Sequence, residues 1–352
     1  MAALKFAYVG CGFVGQGVHI PNFASIPEVE LVALAEIRPQ LGQKVQRRWG
    51  FRKLYSTHLD IAKDPEVQAV GVSAAASEQS QIASDLLRAG KHVFMEKPMA
   101  TSVAHAEEIL RSSQQGGGKL MVAYMKRYDA GNEIAKRHID GMRADPGFGR
   151  LLYARNHGFC GNWVAGFSEL IEKTDEPRPQ PAPGRFPDWL PEDQRNPYYG
   201  YLQQYTHNVN LLRWFLDAGD QAQVTAVDFD ADGYTGTVTF NMNGVRAIIE
   251  SASTSHHGWD EHTQLYFQHG WVRVTSPPLL LKNVGASVEV YRAGKTQEIL
   301  NPLPVPYTWC YRREAEHFVE CVLNSKPFRS SGEDTLTDIR LFEDIYRRYL
   351  GK

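Results

Sequence analysis

The sequence predicts an α/β chain in two parts. An N-terminal doubly wound parallel sheet occupies residues 1–125, and a C-terminal α/β domain with an open, mainly antiparallel sheet occupies residues 126–352. Three observations predict this. Short continuous apolar runs alternate with helical patterns over the first third of the chain. A tight glycine cluster follows the first run. Beyond about residue 126 the runs lengthen, alternate between apolar and polar, and are separated by turn signals. At 352 residues, with 43% hydrophobic and 22% charged residues, the chain is long enough for two domains with real cores.

Taken in order, residues 5–9 (KFAYV) form a β-rich apolar run that meets GCGFVG and then a helical stretch. Residues 30–36 (ELVALAE) read as a second strand, followed by the charged helical pattern LGQKVQRRW. Residues 67–73 read as a strand and 78–90 as a helix stopped at Gly90. Residues 92–96 (HVFME) are a strand, and 102–114 a helix with Thr101 or Ser102 as N-cap and Gly116 as its stop. Residues 119–124 (KLMVAY) are the last strand of this part. Continuous apolar runs fit a parallel sheet covered on both faces, and their alternation with helices implies right-handed crossovers.

In the second part, 127–143 reads as a helix and 150–160 as a strand. Residues 161–200 are rich in Pro, Gly and Trp and read as a long insertion that neither a packed helix nor a central strand accommodates. Residues 202–216 (LQQYTHNVNLLRWFL) carry apolar positions at helical spacing. From 223 to 300 several strands are separated by Asn243-Gly244, His269-Gly270 and Ala293-Gly294, the pattern of an antiparallel sheet. Residues 311–323 and 333–349 close the chain as helices, which can pack back on the first part.

Composition excludes several functions. A formal net charge of −2 is not that of a dedicated nucleic-acid binder or a membrane-surface basic face. No run of about 18 apolar residues spans a bilayer. The N-terminal MAALKFAYVGCG lacks the longer apolar core and cleavage site of a signal peptide, which points to the cytoplasm. Cys11, Cys160, Cys310 and Cys321 are scattered and read as reduced thiols. His256, His257, Asp260, Glu261 and His262 have cheap metal-ligand spacing, but adjacent strand residues face opposite ways, so no metal site is expected.

Gly10-Cys11-Gly12-Phe13-Val14-Gly15 fits GxGxxG between a strand and a helix. The first glycine allows the turn, the second lets backbone approach a pyrophosphate, and the third packs helix on strand. The helix start offers N–H groups to the phosphates. Glu36 lies 21 residues after Gly15, where an acid takes ribose hydroxyls, and its charge favours NAD over NADP. Arg38 keeps NADP open, or stacks on adenine. These residues predict a dinucleotide-binding Rossmann domain.

AGKHVFMEKPMA places Glu96, Lys97 and Pro98 at the carboxyl end of a strand, the edge where open α/β sheets bind ligands. GCGFVG, Glu36, AGKHVFMEKP and the closing FVECVLNSKPFRSSGEDTLTDIRLFEDIYRRY together resemble the Gfo/Idh/MocA oxidoreductases, the glucose–fructose oxidoreductase and inositol dehydrogenase superfamily. The resemblance spans nearly the whole chain. It implies a Rossmann domain plus an α/β domain with an open antiparallel sheet, and hydride transfer between a sugar or cyclic-polyol hydroxyl and a nicotinamide. The family's motif lysine matches Lys97. Its second catalytic element, DxGxH followed by Asp, matches Gln203, Tyr205, His207 and Asn210, so only the histidine is kept.

The chemistry agrees with that assignment. Alcohol oxidation needs a base that titrates near neutrality, which suits His207. Lys97 stabilises the developing alkoxide or shares the base role. Gln203, one helical turn before His207, and Asn210 would orient substrate. Tyr124, Lys126 and Arg127 follow the strand at 119–124, where the family often places substrate-facing residues; Lys126 and Arg127 read equally as substrate or pyrophosphate contacts and as domain-junction charges. His157 and Trp163 sit at the edge of the insertion, Trp163 as a stacking platform for a sugar.

The sequence therefore predicts an NAD-dependent dehydrogenase of a sugar, glycoside or cyclic polyol. Glu96, Lys97 and Pro98 join the glycine turn, Glu36 and Arg38 in holding the cofactor. A redox-neutral NAD-dependent glycosidase is the alternative enzyme, and a non-catalytic NAD-binding regulator the alternative outside enzymology. A homo-oligomer, dimer or tetramer, through the exposed face of the second sheet is expected.

Overall fold

The computed structural model describes residues 3–254, 258–293, 298–300 and 303–352. The chain divides into two compact units. The first holds residues up to Tyr124 together with Ser168–Trp189 and Tyr311–Ile339, and the second holds Met125–Phe167, Leu190–Cys310 and Arg340–Lys352.

In the first unit, β1 (Leu4–Val9), β2 (Val29–Ala35), β3 (Lys53–Tyr55), β4 (Ala69–Val72), β5 (His92–Glu96) and β6 (Leu120–Ala123) form a six-stranded sheet of order β3-β2-β1-β4-β5-β6. Every pair is parallel. A π-helical stretch, Gly15–His19, runs into α1 (Ile20–Ala24); α2 (Pro39–Trp49), α3 (His58–Lys63), α4 (Ala76–Arg88) and α5 (Val103–Gly116) make the later crossovers. The chain leaves β1 towards β2 and returns to β4 on its other side. The order therefore reverses between β1 and β4, the point at which doubly wound sheets open a crevice.

The apolar runs are buried because both sheet faces are covered. Phe6 stacks on Phe23 at 4.2 Å, Phe23 meets Phe94 edge-on at 5.2 Å, and Phe318 closes the cluster at 5.6 Å from Phe94. Phe318 comes from α8 (Cys310–Leu323), about 200 positions beyond β6 in the chain. Ser330 extends the sheet edge, its carbonyl accepting from the Val122 N–H at 2.9 Å.

In the second unit, β7 (Leu151–Cys160), β8 (Ala222–Phe229), β9 (Gly236–Met242), β10 (Val245–Ser253), β11 (Trp259–Phe267), β12 (Gly270–Thr275), β13 (Ser287–Arg292) and β14 (Glu298–Leu300) form an eight-stranded sheet of order β14-β13-β12-β11-β7-β10-β9-β8. All neighbours are antiparallel except β7 and β10, which are parallel. Helices α6 (Ala130–Ala144) and α7 (Arg195–Phe215) cover one face. Ala154 and Asn156 on β7, Thr263 and Leu265 on β11, and Val272 and Val274 on β12 are buried there. The other face carries Tyr153, Tyr266, Trp271 and Tyr291, direct cross-strand neighbours on β7, β11, β12 and β13. The closing helix α9 (Gly332–Tyr349) passes from the first unit into the second.

Several local expectations are corrected. Helix α7 starts at Arg195, not near 202, so residues 195–200 are helical although they lie in the Pro-rich run. Pro197 sits in the first turn, where its missing N–H costs no helical bond. Gly117, with φ +76°, stops α5, not Gly116. Gly116 has a different reason to be glycine, since a Cβ there would lie 2.0 Å from the Leu87 carbonyl. The short β3 and α3 are additional elements, too brief to show a period in sequence. Ser102 is the N-cap of α5, its hydroxyl accepting from the His105 N–H at 3.4 Å. Asn243 and Gly244, φ +54° and +77°, form the expected left-handed hairpin turn. Gly294 and the histidines at 256 and 257 lie outside the described residues.

Candidate active site

The glycine turn lies at the carboxyl end of β1, beside the end of β4. Gly10 has φ +94°, and a Cβ there would lie 2.4 Å from the Ser73 carbonyl oxygen. A Cβ on Gly15 would lie 2.7 Å from the Gly10 carbonyl oxygen and 3.3 Å from the Tyr8 ring. Among the described residues, and chain neighbours apart, a Cβ on Gly12 would meet nothing within 4 Å. So two glycines are demanded by the fold, whereas a Cβ on the third would face open space among the described residues. That is the cradle a pyrophosphate needs, and the residues present fit a dinucleotide. Phe13 is partly exposed beside it, and Val14 is half-buried.

Glu36 ends the second strand's run and is buried. Its Oε2 accepts from the Cys11 N–H at 2.7 Å, tying the acid to the glycine turn. Its Oε1 accepts from the Arg38 N–H at 3.1 Å and from Arg38 Nε at 2.7 Å. The hydrogen bond from Arg38 to Glu36 raises the guanidinium pKa further, so Arg38 stays charged and aimed at the acid.

At the end of β5, Glu96 Oε1 pairs with His19 Nε2 at 2.6 Å, and Oε2 accepts from the Lys97 N–H at 3.0 Å. This carboxylate thus joins the first crossover helix to the turn that presents Lys97, and the Lys97–Pro98 bond is cis. Pro98 is buried and Lys97 half-buried. Sequence reasoning passed over Glu314. It is fully buried, and burial, reinforced by the Glu96 charge, holds its carboxyl pKa well above the usual range. No local pattern separates it from other helix carboxylates.

In the second unit, α7 presents Gln203, His207 and Asn210 at helical spacings of four and three, which puts them on one side. His207 is only 5% exposed. Gln203 Nε2 donates to the Tyr199 hydroxyl at 2.8 Å. Arg127 is buried, and its Nη2 donates to the Asn210 carbonyl at 3.3 Å. Next to them the helix is fastened to the sheet. The Tyr205 hydroxyl donates to the Gly158 carbonyl at 2.8 Å and accepts from the Ala252 N–H at 3.0 Å. Asn208 Nδ2 donates to Asn156 Oδ1 at 2.7 Å and Glu261 Oε1 at 3.0 Å, and Glu261 is paired with Lys126.

The structure therefore corrects the placement of His157. Lys126 is spent on a buried ion pair with Glu261. His157 follows Asn156 on β7 and points to the face away from α7. There its Nδ1 meets Glu250 at 2.8 Å, and its ring stacks on His262 at 5.0 Å. It does not join Gln203, His207 and Asn210. Tyr124 is buried at the end of β6, and Trp163 is 41% exposed. Asp260 and His262 bond each other at 3.2 Å, and among the described residues no three His, Cys, Asp or Glu are grouped to hold a metal. The four cysteines form no disulfide. No helix among the described residues is long and apolar enough to cross a membrane.

The chain is similar to several known proteins. Residues 4–124 match the family model described as an oxidoreductase family with an NAD-binding Rossmann fold. An inositol 2-dehydrogenase of Salmonella typhimurium is 30% identical over 140 residues, 39% of this chain and 41% of that protein. The match thus spans about two fifths of that relative's length. The scyllo-inositol 2-dehydrogenase (NAD(+)) of Bacillus subtilis is 23% identical over 330 residues, covering 92% of this chain and 87% of that one. Levoglucosan dehydrogenase, solved with NADH and levoglucosan, superposes with a TM-score of 0.75 at 17% identity, covering 99% and 98% of the two chains, and so shares the fold.

Proposed function

We propose that the chain is a member of the GFO/IDH/MocA oxidoreductase family, whose model it matches over residues 4–124, and that it is an NAD-dependent dehydrogenase of a ring hydroxyl on a sugar, glycoside or cyclic polyol. The observation that carries this reading is the glycine turn, whose open side at Gly12 adjoins a buried Glu36 held by the Cys11 N–H. The relatives named for inositol oxidation direct the substrate class towards cyclic polyols.

When bound, the nicotinamide supplies the hydride acceptor. The turn's N–H groups would take the pyrophosphate and Glu36 the ribose hydroxyls, with Phe13, Val14 and Arg38 flanking them. Glu96 and Pro98 fix the turn that presents Lys97. Lys97 would hold the reacting hydroxyl oxygen and stabilise negative charge as it develops there. His207 would accept the hydroxyl proton. Gln203 and Asn210, on the same side of α7, would hold neighbouring hydroxyls without adding charge, and Tyr124, Arg127 and Trp163 would border the substrate.

The aromatic row Tyr153, Tyr266, Trp271 and Tyr291 supports a homo-oligomer through that sheet face, with Trp271 and Tyr291 stacked at 5.7 Å. Cytoplasmic action fits the reduced thiols and a freely diffusing sugar. The test is a panel of pyranoses, glycosides and inositols with NAD and NADP. Net accumulation of NADH on a cyclic polyol or sugar supports the proposal. Release of an aglycone without net NADH would replace it with the redox-neutral glycosidase.

A further inference from the structure

Ser168–Trp189 of the Pro-rich insertion belong to the first unit, and their contacts follow the carboxyl edge of the parallel sheet. Gln16, in the first turn after the glycines, bonds the Glu172 backbone reciprocally. Its Oε1 accepts the Glu172 N–H at 2.8 Å, and its Nε2 donates to the Glu172 carbonyl at 3.2 Å. Four residues on, the Glu176 carboxylate reaches the start of α2. Oε1 accepts the Gln40 N–H and Oε2 the Leu41 N–H, each at 2.9 Å, with the Thr174 hydroxyl donating to Oε2 at 3.0 Å. Farther along, the Thr101 hydroxyl donates to the Arg185 carbonyl at 2.8 Å, and Arg185 pairs with Glu108 at 3.1 Å.

The ribose of a dinucleotide is recognised immediately after the second strand, and a 2′-phosphate there needs a cation and N–H donors. This chain has both, in the Arg38 guanidinium and the N–H groups of Gln40 and Leu41. Each is already engaged by a carboxylate, Arg38 by Glu36 and the two N–H groups by Glu176. Burial raises the Glu176 pKa, but the Gln40 and Leu41 N–H bonds outweigh it and hold the carboxyl below its ordinary value, so the charge stays in place.

We propose that Glu176 is a specificity-determining residue. Its carboxylate occupies the donors that a 2′-phosphate would use, so it excludes NADP from 140 positions beyond Glu36 and reserves the turn for NAD. The inference rests on the dinucleotide-binding reading above. It deepens that reading, because discrimination at this turn is shared between the strand-end acid and a remote segment folded over it. An arginine beside the acid is then not a sign of NADP use, since both of its would-be companions are taken.

The test is fluorescence titration of the full chain with NADH and NADPH, for wild type, Glu176→Gln and Glu176→Ala, with thermal midpoints recorded. Glu176→Gln retains an acceptor for the cap and removes the charge. The expected result is a preference for NADH in wild type. The ratio of the NADPH to the NADH dissociation constant should fall about tenfold or more in both variants, the loss of one charged contact. NADH affinity should stay within about threefold. An unchanged ratio in folded variants that still bind NADH, or a fall caused only by weaker NADH binding, overturns the proposal and leaves the dehydrogenase reading standing. Wild type that binds neither nucleotide overturns both.

Discussion

Gly12 and Gly15 are the same residue three positions apart, yet they answer to different demands. A Cβ on Gly15 would collide with backbone at 2.7 Å, whereas one on Gly12 has room. Gly15→Ala should therefore destabilise the first unit by about 1–3 kcal/mol, the usual cost of overpacking. Gly12→Ala should keep the thermal midpoint of wild type and weaken NADH binding by about tenfold or more, because its methyl group fills only the space kept for the pyrophosphate. Thermal melts alongside NADH titrations check both, and equal effects of the two variants on stability would contradict the assignment. At this scale the sequence was informative where a residue type is chemically forced. The spacing of the glycines and the acid after β2 marks the turn in the sequence. Glu176 was not legible, because its role depends on a hydrogen bond across 136 positions to Gln40, which no local pattern encodes. His157 misled for the converse reason. Its chemistry suits a substrate site, but its place on a strand beside Asn156 aims it at the opposite face.

Among the elements, α7 carries the largest part of the proposed chemistry, and its position is fixed by polar bonds to the sheet. Asn208 joins Asn156 and Glu261, and Glu261 is paired with Lys126, all buried. Removing one member of a buried pair leaves an uncompensated charge, which costs about 3–5 kcal/mol, whereas replacing both with apolar groups costs far less. Lys126→Met should accordingly lower the urea midpoint sharply, and adding Glu261→Leu should restore much of the loss. Equal midpoints for single and double variants would show that the pair does not anchor the helix. The helix itself was legible from its apolar spacing from Leu202 on, but its first two turns were not. Asn196-Pro197 reads as a break, yet proline is tolerated in a first turn, where its nitrogen has no helical bond to lose. Tyr205 stands where the family resemblance expects glycine. Its hydroxyl is tied to β7 and β10, and Gly158 supplies the room its ring needs, since a Cβ there would lie 3.0 Å from Tyr205. The fit of a large residue on the helix against a glycine on the strand is invisible until the two elements are packed.

For the whole molecule, the two sheet types divide the work. The parallel sheet gathers helix starts and loop N–H groups at one edge, around the point where strand order reverses. The eight-stranded sheet keeps one face for helices and leaves an aromatic row on the other. This division was legible in the change from continuous to alternating apolar runs. The assignment of Ser168–Trp189 to the first unit was not, since composition marks the segment as irregular without saying what it lies on. The central proposal is that Lys97 and His207 each act in the oxidation of an alcohol hydroxyl. Steady-state turnover of Lys97→Ala and His207→Ala on the best substrate of the panel, with NADH affinity measured on the same preparations, tests it most directly. A fall in kcat of about 10²–10⁴-fold is expected in each variant, with NADH affinity nearly unchanged in His207→Ala. Wild-type turnover in either variant would contradict it.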